Sequence, residues 1–230
     1  LSSSKPQLSV IVPVLNESEG LHDFLSSLLE RLPGNSEIVL VDGGSTDSSC
    51  EIASQYPVKL IQAERGRATQ MNVGAEGASG QYLMFLHADT SLPDDFASEF
   101  DWWLEARPIW GFSPVRLSGS AWWCRLVELG VNLRTRVTAG AGGDQAQIVN
   151  ASYFRSIGGF AEIALMEDIA LSYRLRRSWP ARRFRRPVTT SSRRWQSGGV
   201  LKTVLLMWFL RCCYRLGVSP QRLSRWYSRV

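Results

Sequence analysis

LSVIVPVLNESEGLHDFLSSLLERLPG (residues 8–34) places a short β-branched apolar run directly before an amphipathic pattern. Residues 8–14 fit one buried strand, and Leu21, Phe24, Leu25, Leu28, Leu29 and Leu32 recur behind it at helical spacing. Pro33-Gly34 ends that helix, and Asn16 or Ser18 stands where its cap belongs. Outward from this unit the alternation repeats. EIVLVD (37–42), VKLIQA (58–63) and QYLMFLH (81–87) read as three more buried strands, with helices in TDSSCEIASQY and at 67–78 between them. Repeated βαβ units predict an α/β fold: a central, mostly parallel sheet with helices on both faces.

Past residue 90 the pattern loosens. A helix is expected at 93–106, an irregular strand or strand pair in IWGFSPVRLSG, and a helix at 121–137 carrying Trp122, Leu126, Leu129 and Leu133. The Gly- and Ala-rich stretch 138–150 reads as an active-site loop, followed by short helices at 152–157 and 167–177. No internal repeat or linker appears, so one domain over 1–197 with a C-terminal helical basic extension over 198–230 is expected.

The 230 residues are 44% hydrophobic and 20% charged, which excludes wholesale disorder. The net charge of +5 hides a split: residues 169–230 hold 15 Lys and Arg and no acid, while the rest hold 11 basic and 21 acidic residues. A basic end of this kind points to anionic partners. Cys50, Cys124, Cys212 and Cys213 form no CxxC pair and no disulfide framework, which suits free thiols and a cytoplasmic setting. The longest apolar run, Val204 to Leu210, is far short of the roughly 20 residues that span a bilayer. LSSSKPQ carries no signal core, and a start without Met is expected of a processed or shortened chain.

In open parallel sheets, ligands bind beyond the carboxyl ends of the strands. Those ends carry Asn16-Glu17, Asp42-Gly43-Gly44-Ser45-Thr46-Asp47, Glu64-Arg65-Gly66-Arg67 and His87-Ala88-Asp89. Each set alone suits a cap or a turn. Together they suit a nucleotide diphosphate: a carboxylate accepts from a base N–H, and an aspartate binds a cation bridging phosphates. No GxGxxG follows the first strand and no GxxxxGK[ST] occurs, which argues against dinucleotide and P-loop sites.

VIVPVLNE (10–17), VDGGSTD (41–47), RGRATQMNVGAEGASG, FLHADT (85–90), MED (166–168) and SSRRW (191–195) resemble family 2 glycosyltransferases of the GT-A fold. The HAD, GDQ and SSRRW variants look most like the subfamily called radical-SAM/selenodomain-associated transferase 2. The resemblance implies an inverting hexosyltransferase-type enzyme acting on a nucleoside-diphosphate sugar with a UDP or GDP carrier. It implies that Pro13, Asn16 and Glu17 border the nucleotide, that Asp42 contacts the base, and that Asp47 belongs to the same motif. Arg65, Arg67 and Asn72 then line nucleotide and ribose, and His87, Ala88 and Asp89 form the diphosphate motif, with Asp89 holding Mn²⁺ or Mg²⁺. Asp168 becomes the general base, Glu167 its packing or orienting neighbour, and Arg194 and Trp195 lie near the diphosphate. Two positions depart from the family pattern: His87 and Gly43 stand where acids are usual.

The stripe of Leu201, Val204, Leu205, Trp208, Phe209, Cys212 and Leu216 suits either a docked helix or a helix lying in a membrane surface. The second case implies a lipid-linked acceptor and a peripheral location on the inner face of the membrane. A sugar-nucleotide pyrophosphorylase is the alternative enzyme, disfavoured because no basic residue follows the first strand. An Arg-rich nucleic-acid binder is the other, opposed by the acidic sheet edge, so no nucleic-acid partner is expected.

Overall fold

The structure, a computed structural model, describes residues 5–193 and 199–227. Four parallel strands open it: β1 (Leu8–Val14), β2 (Ser36–Asp42), β3 (Lys59–Gln62) and β4 (Tyr82–Phe85). Helices α1 (Ser18–Arg31), α2 (Ser49–Ala53) and α3 (Arg67–Gly77) connect them. Along β1, Val10 and Val12 enter one core cluster and Ile11 the other. Alternate side chains of a strand point to opposite faces, so this apolar run is buried from both sides. Leu21, Leu25 and Trp103 cover the first face, and Met71, Phe154 and Leu171 the second. This is the mostly parallel sheet with helices on both faces that the sequence predicts.

The chain continues through β5 (Thr90–Ser91), α4 (Phe96–Glu105), β6 (Trp110–Phe112), β7 (Val115–Leu117), α5 (Trp122–Thr138), β8 (Gln147–Asn150) and α6 (Ala151–Ser156). It ends with α7 (Glu167–Ser178), β9 (Arg182–Arg183), β10 (Val188–Thr190), α8 (Val200–Arg215) and α9 (Pro220–Tyr227). The main sheet has the order β3-β2-β1-β4-β8-β6-β9, and a smaller one the order β5-β10-β7. All four cysteines are free thiols.

Three local expectations change. The segment 138–150 is not loop throughout: it contains β8, antiparallel to both β4 and β6. A strand beginning in Gln is unexpected, but the buried Gln147 amide donates to Ala141 O at 2.9 Å, Asp168 O at 3.2 Å and Ser172 Oγ at 3.2 Å. Strands β6 and β7 do not pair with each other; they belong to different sheets. Neither Asn16 nor Ser18 caps α1 with its side chain. Asp47, from the loop after β2, accepts from the Ser18 N–H at 3.0 Å instead.

Two helices turn apolar residues outward. On α5, Trp122, Leu126, Leu129 and Leu133 are 58–74% exposed, and on α8 so are Leu205, Trp208 and Phe209 at 52–62%. Helix α8 is nevertheless anchored: Leu210, with Leu223 of α9, packs on Met166 and Ile169 at the start of α7. Among the described residues no helix is long and apolar enough to cross a membrane.

Candidate active site

Beyond β1 and β2, backbone and side chains are tied into one scaffold. Asp42 is buried, and its carboxylate accepts from the Gly44 and Ser45 N–H groups at 3.1 Å. Burial opposes its charge, but the bonds from Ser45 and Gly44 outweigh that and hold the carboxyl below the usual range. Asp47 also accepts from Ser49 Oγ at 2.6 Å, and bonds from Ser49 and Ser18 hold its carboxyl far below the usual range. Asn16, in the left-handed region at φ 56°, accepts from the Thr46 N–H at 2.8 Å. Asn72 clamps Phe160, donating to its carbonyl at 3.0 Å and accepting from its N–H at 2.8 Å.

Gly43, the departure noted above, has a packing reason. A Cβ there would lie 2.9–3.0 Å from the Gln70 amide group. Gln70 is buried and donates to Val14 O at 2.9 Å and Val41 O at 2.8 Å, bridging the ends of β1 and β2. The volume that a side chain at 43 would need is filled by the side chain at 70.

The open chemistry lies one layer further along. A cavity of about 940 Å³ brings together Glu17, Arg67, His87, Asp89, Glu167 and Asp168, six of the residues singled out in the sequence. Pro13, Asn16, Asp42, Asp47, Arg65, Asn72 and Ala88 do not line it; Ala88 packs against the core instead. Arg194 and Trp195 lie outside the described residues. The Asp89 loop is pinned by β10: Ser191 N–H donates to Asp89 O at 3.2 Å, and Thr90 Oγ1 to Thr190 Oγ1 at 3.0 Å.

Asp168 sits at the start of α7, where anions are favoured. Its Oδ2 accepts from the Gly143 N–H at 2.6 Å and its Oδ1 from the Ile169 N–H at 2.7 Å. Met166, immediately before α7, takes the left-handed region at φ 73°, a conformation that costs a residue with a Cβ roughly 1–2 kcal/mol. Such strain is concentrated at functional turns. Gly143 is required by close approach, since a Cβ there would fall 2.7 Å from His87 Nε2. Burial, then the Arg67 charge, pushes the His87 imidazole down, so it is neutral at pH 7. Burial, then the Asp168 charge, pushes Glu167 up to about 7. Desolvation and the neighbouring Asp89 raise Glu17 as well.

No group of three His, Cys, Asp or Glu among the described residues is arranged to hold a metal by itself. Asp89 fits a cation shared with substrate phosphates, because hard cations are commonly held by one or two carboxylates plus phosphates and water. Two site residues had no role in the sequence reading: Arg134 of α5 and Asp144 of the 3₁₀ turn Gly143–Gln145, both on the cavity wall. The available signal was an arginine interrupting an otherwise apolar helical stripe.

Residues 9–114 match the model of glycosyl transferase family 2. Among relatives, a PGL/p-HBAD biosynthesis glycosyltransferase of Mycobacterium tuberculosis is 38% identical over 94 residues, covering 38% of this chain and 37% of that protein. A poly-beta-1,6-N-acetyl-D-glucosamine synthase of Staphylococcus epidermidis is 36% identical over 94 residues, covering 38% of this chain and 23% of that one. The chain thus spans well under half the length of these relatives. Among solved structures, S. aureus TarS with UDP superposes with TM-score 0.65 at 18% identity, over 80% of this chain and 60% of that one. The mannosyltransferase PcManGT of Pyrobaculum calidifontis, with GDP-Man and Mn²⁺, gives 0.58 at 23% identity, over 82% and 57%.

Proposed function

We propose that this chain, whose residues 9–114 match the model of glycosyl transferase family 2, transfers a sugar with inversion from a nucleoside-diphosphate donor to an acceptor hydroxyl. The observation that carries this is the placement of Asp168: it lines one cavity with Asp89, and its carboxylate is oriented by the Gly143 and Ile169 N–H groups. The acceptor hydroxyl gives its proton to Asp168 as its oxygen bonds to the anomeric carbon. The bond from that carbon to the diphosphate breaks, and its electron pair leaves with the nucleoside diphosphate. General-base assistance contributes about 10²–10⁴-fold. Arg67 faces the departing charge from the start of α3. Asp89 would hold a divalent cation, which when bound supplies electrostatic stabilisation of the diphosphate. The neutral His87 imidazole beside it is a donor compatible with Mn²⁺.

The sugar nucleotides named for the structural neighbours, UDP-GlcNAc and GDP-Man, are the donors to try. In a thermal-shift panel with UDP and GDP, each with and without Mn²⁺, one nucleotide is expected to stabilise the protein in a Mn²⁺-dependent way. Asp89→Asn should remove the metal-dependent part. No shift with either nucleotide would overturn the reading.

The outward apolar faces of α5 and α8 support a peripheral membrane location. Cationic side chains flank them: Arg136 on α5, Lys202 and Arg215 on α8, and Arg222 on α9, while Arg125 is paired with Glu128 at 3.0 Å. Apolar side chains among arginines match an anionic bilayer surface. Flotation with vesicles rich in anionic phospholipid is expected to carry the protein upward, and a Trp208→Ser, Phe209→Ser pair to abolish this. Equal flotation of that variant would count against the membrane contact.

A further inference from the structure

The part of the cavity between α5 and α8 holds two arginines that the proposed transfer step does not use. Arg134 on α5 and Arg211 on α8 both line it, from helices 77 positions apart in sequence. Arg134 donates to Gly140 O at 2.7 Å, and Nη1 of Arg211 is buried without a hydrogen-bond partner. Neither forms a salt bridge among the described residues, and Arg211 is the strongest charge acting on Arg134. Two like charges half-buried together, one with an unsatisfied donor, form an incomplete arrangement that an anion would complete.

The order of charges along the cavity separates this pair from the donor diphosphate. The stretch from Gly140 to Gly143 sets this order: a Cβ at Gly143 would fall 2.7 Å from His87 Nε2 and 3.6 Å from Asp168 Oδ2. One at Gly142 would fall 2.5 Å from Asp144 Oδ1 and 3.6 Å from Arg211 Nη2, and one at Gly140 3.8 Å from Arg134 Nη1. Asp168 therefore stands beside His87 at Gly143, and the arginines follow at Gly142 and Gly140. The His87–Asp89 loop meets this stretch at Gly143. The same two helices otherwise line the cavity largely with apolar residues: Leu126 and Val131 from α5, Val204, Met207 and Trp208 from α8.

We infer that this part of the cavity is the acceptor site, and that it takes an amphiphile with a phosphate head. The phosphate is held by Arg134 and Arg211, and the hydrocarbon chain lies between α5 and α8 towards their exposed apolar faces. Two guanidiniums match the charge and the multiple oxygens of a phosphate monoester. This rests on the transferase reading, and it assigns the side of Asp168 from which the acceptor arrives.

The test uses dodecyl phosphate below its micelle concentration, with inorganic phosphate and dodecyl maltoside as controls, by calorimetric titration. Dodecyl phosphate is expected to bind saturably and at least tenfold tighter than either control. A variant with Arg134→Gln and Arg211→Gln should lose tenfold or more of that affinity while its affinity for the nucleotide and Mn²⁺ stays within threefold. Leu126→Asp and the single Arg211→Lys, each checked by thermal melting, carry the same test should the double variant not fold. Binding no tighter than dodecyl maltoside would remove the phosphate seat, and binding no tighter than inorganic phosphate would remove the chain groove. Equal loss of nucleotide affinity in the double variant would assign the arginines to the donor. A wild-type protein that binds dodecyl phosphate but neither UDP nor GDP would defeat the transferase reading and leave the amphiphile site standing.

Discussion

The polar residues at the ends of β1 and β2 and those on the wall built by α5, α7 and α8 behave in opposite ways. At the strand ends nearly every carboxylate and amide is bonded to nearby backbone: Asp42 to Gly44 and Ser45, Asp47 to Ser18 and Ser49, Asn16 to Thr46. On the helical wall, Arg211 keeps an unsatisfied donor and Glu167 is buried against a second carboxylate. A satisfied cluster stabilises a shape, whereas an unsatisfied one awaits something outside the chain. The motif-rich edge is therefore the frame, and the helical wall holds the groups with unmet demands.

The largest effect should come from the wall. Asp168→Asn is expected to lower turnover about 10²–10⁴-fold with nucleotide affinity within threefold, read by steady-state kinetics beside nucleotide titration. Unchanged turnover would break the contrast at its centre. On the frame, Gly43→Asp should instead cost stability, about 2 kcal/mol in a denaturant melt. It displaces the Gln70 amide from two buried carbonyls.

Glu167 sharpens the comparison through pH. Its folded pKa of about 7 lies above the 4.5 of the free side chain, so between those values the native state binds more protons than the unfolded one. Its unfavourable contribution thus grows as pH rises from about 4.5 to 7 and is fully present above. Glu167→Gln should gain stability relative to the parent at pH 8, of order 2 kcal/mol, and show little of that gain at pH 4, by melting at both values. The smallest effect is expected on the outer face of α5. Leu129→Ser should change stability by about 0.5 kcal/mol or less, since that side chain is already in water, whereas Leu210→Ala inside α8 should cost about 2–4 kcal/mol.

The frame was the legible half. Residues 8–14, 37–42 and 82–85 are short apolar runs whose period and turns leave little choice but a parallel sheet. Asp89 is singled out by its place past a strand and Asp168 by the family resemblance, and both line the cavity. Spacing could not supply partners distant in sequence. Asp47 serves α1 rather than the cavity because it meets the Ser18 N–H 29 positions away. Periodicity along 121–137 defines an apolar stripe, but only packing says whether the core or solvent covers it. The same limit hid β8, where Gln147 is made acceptable in a strand by acceptors at Ala141, Asp168 and Ser172.

The mutual exclusion of a side chain at 43 and the amide at 70 has a consequence for how this sequence can change. Glycine at 43 goes with glutamine at 70, and an acid at 43 would call for a smaller residue at 70. A step through either single substitution either overfills the space between the β1 and β2 ends or leaves two carbonyls without their donor. The pair is expected to be epistatic, with Gln70→Ala less harmful beside Gly43→Asp than alone. Passage from one arrangement to the other then calls for both positions to change together.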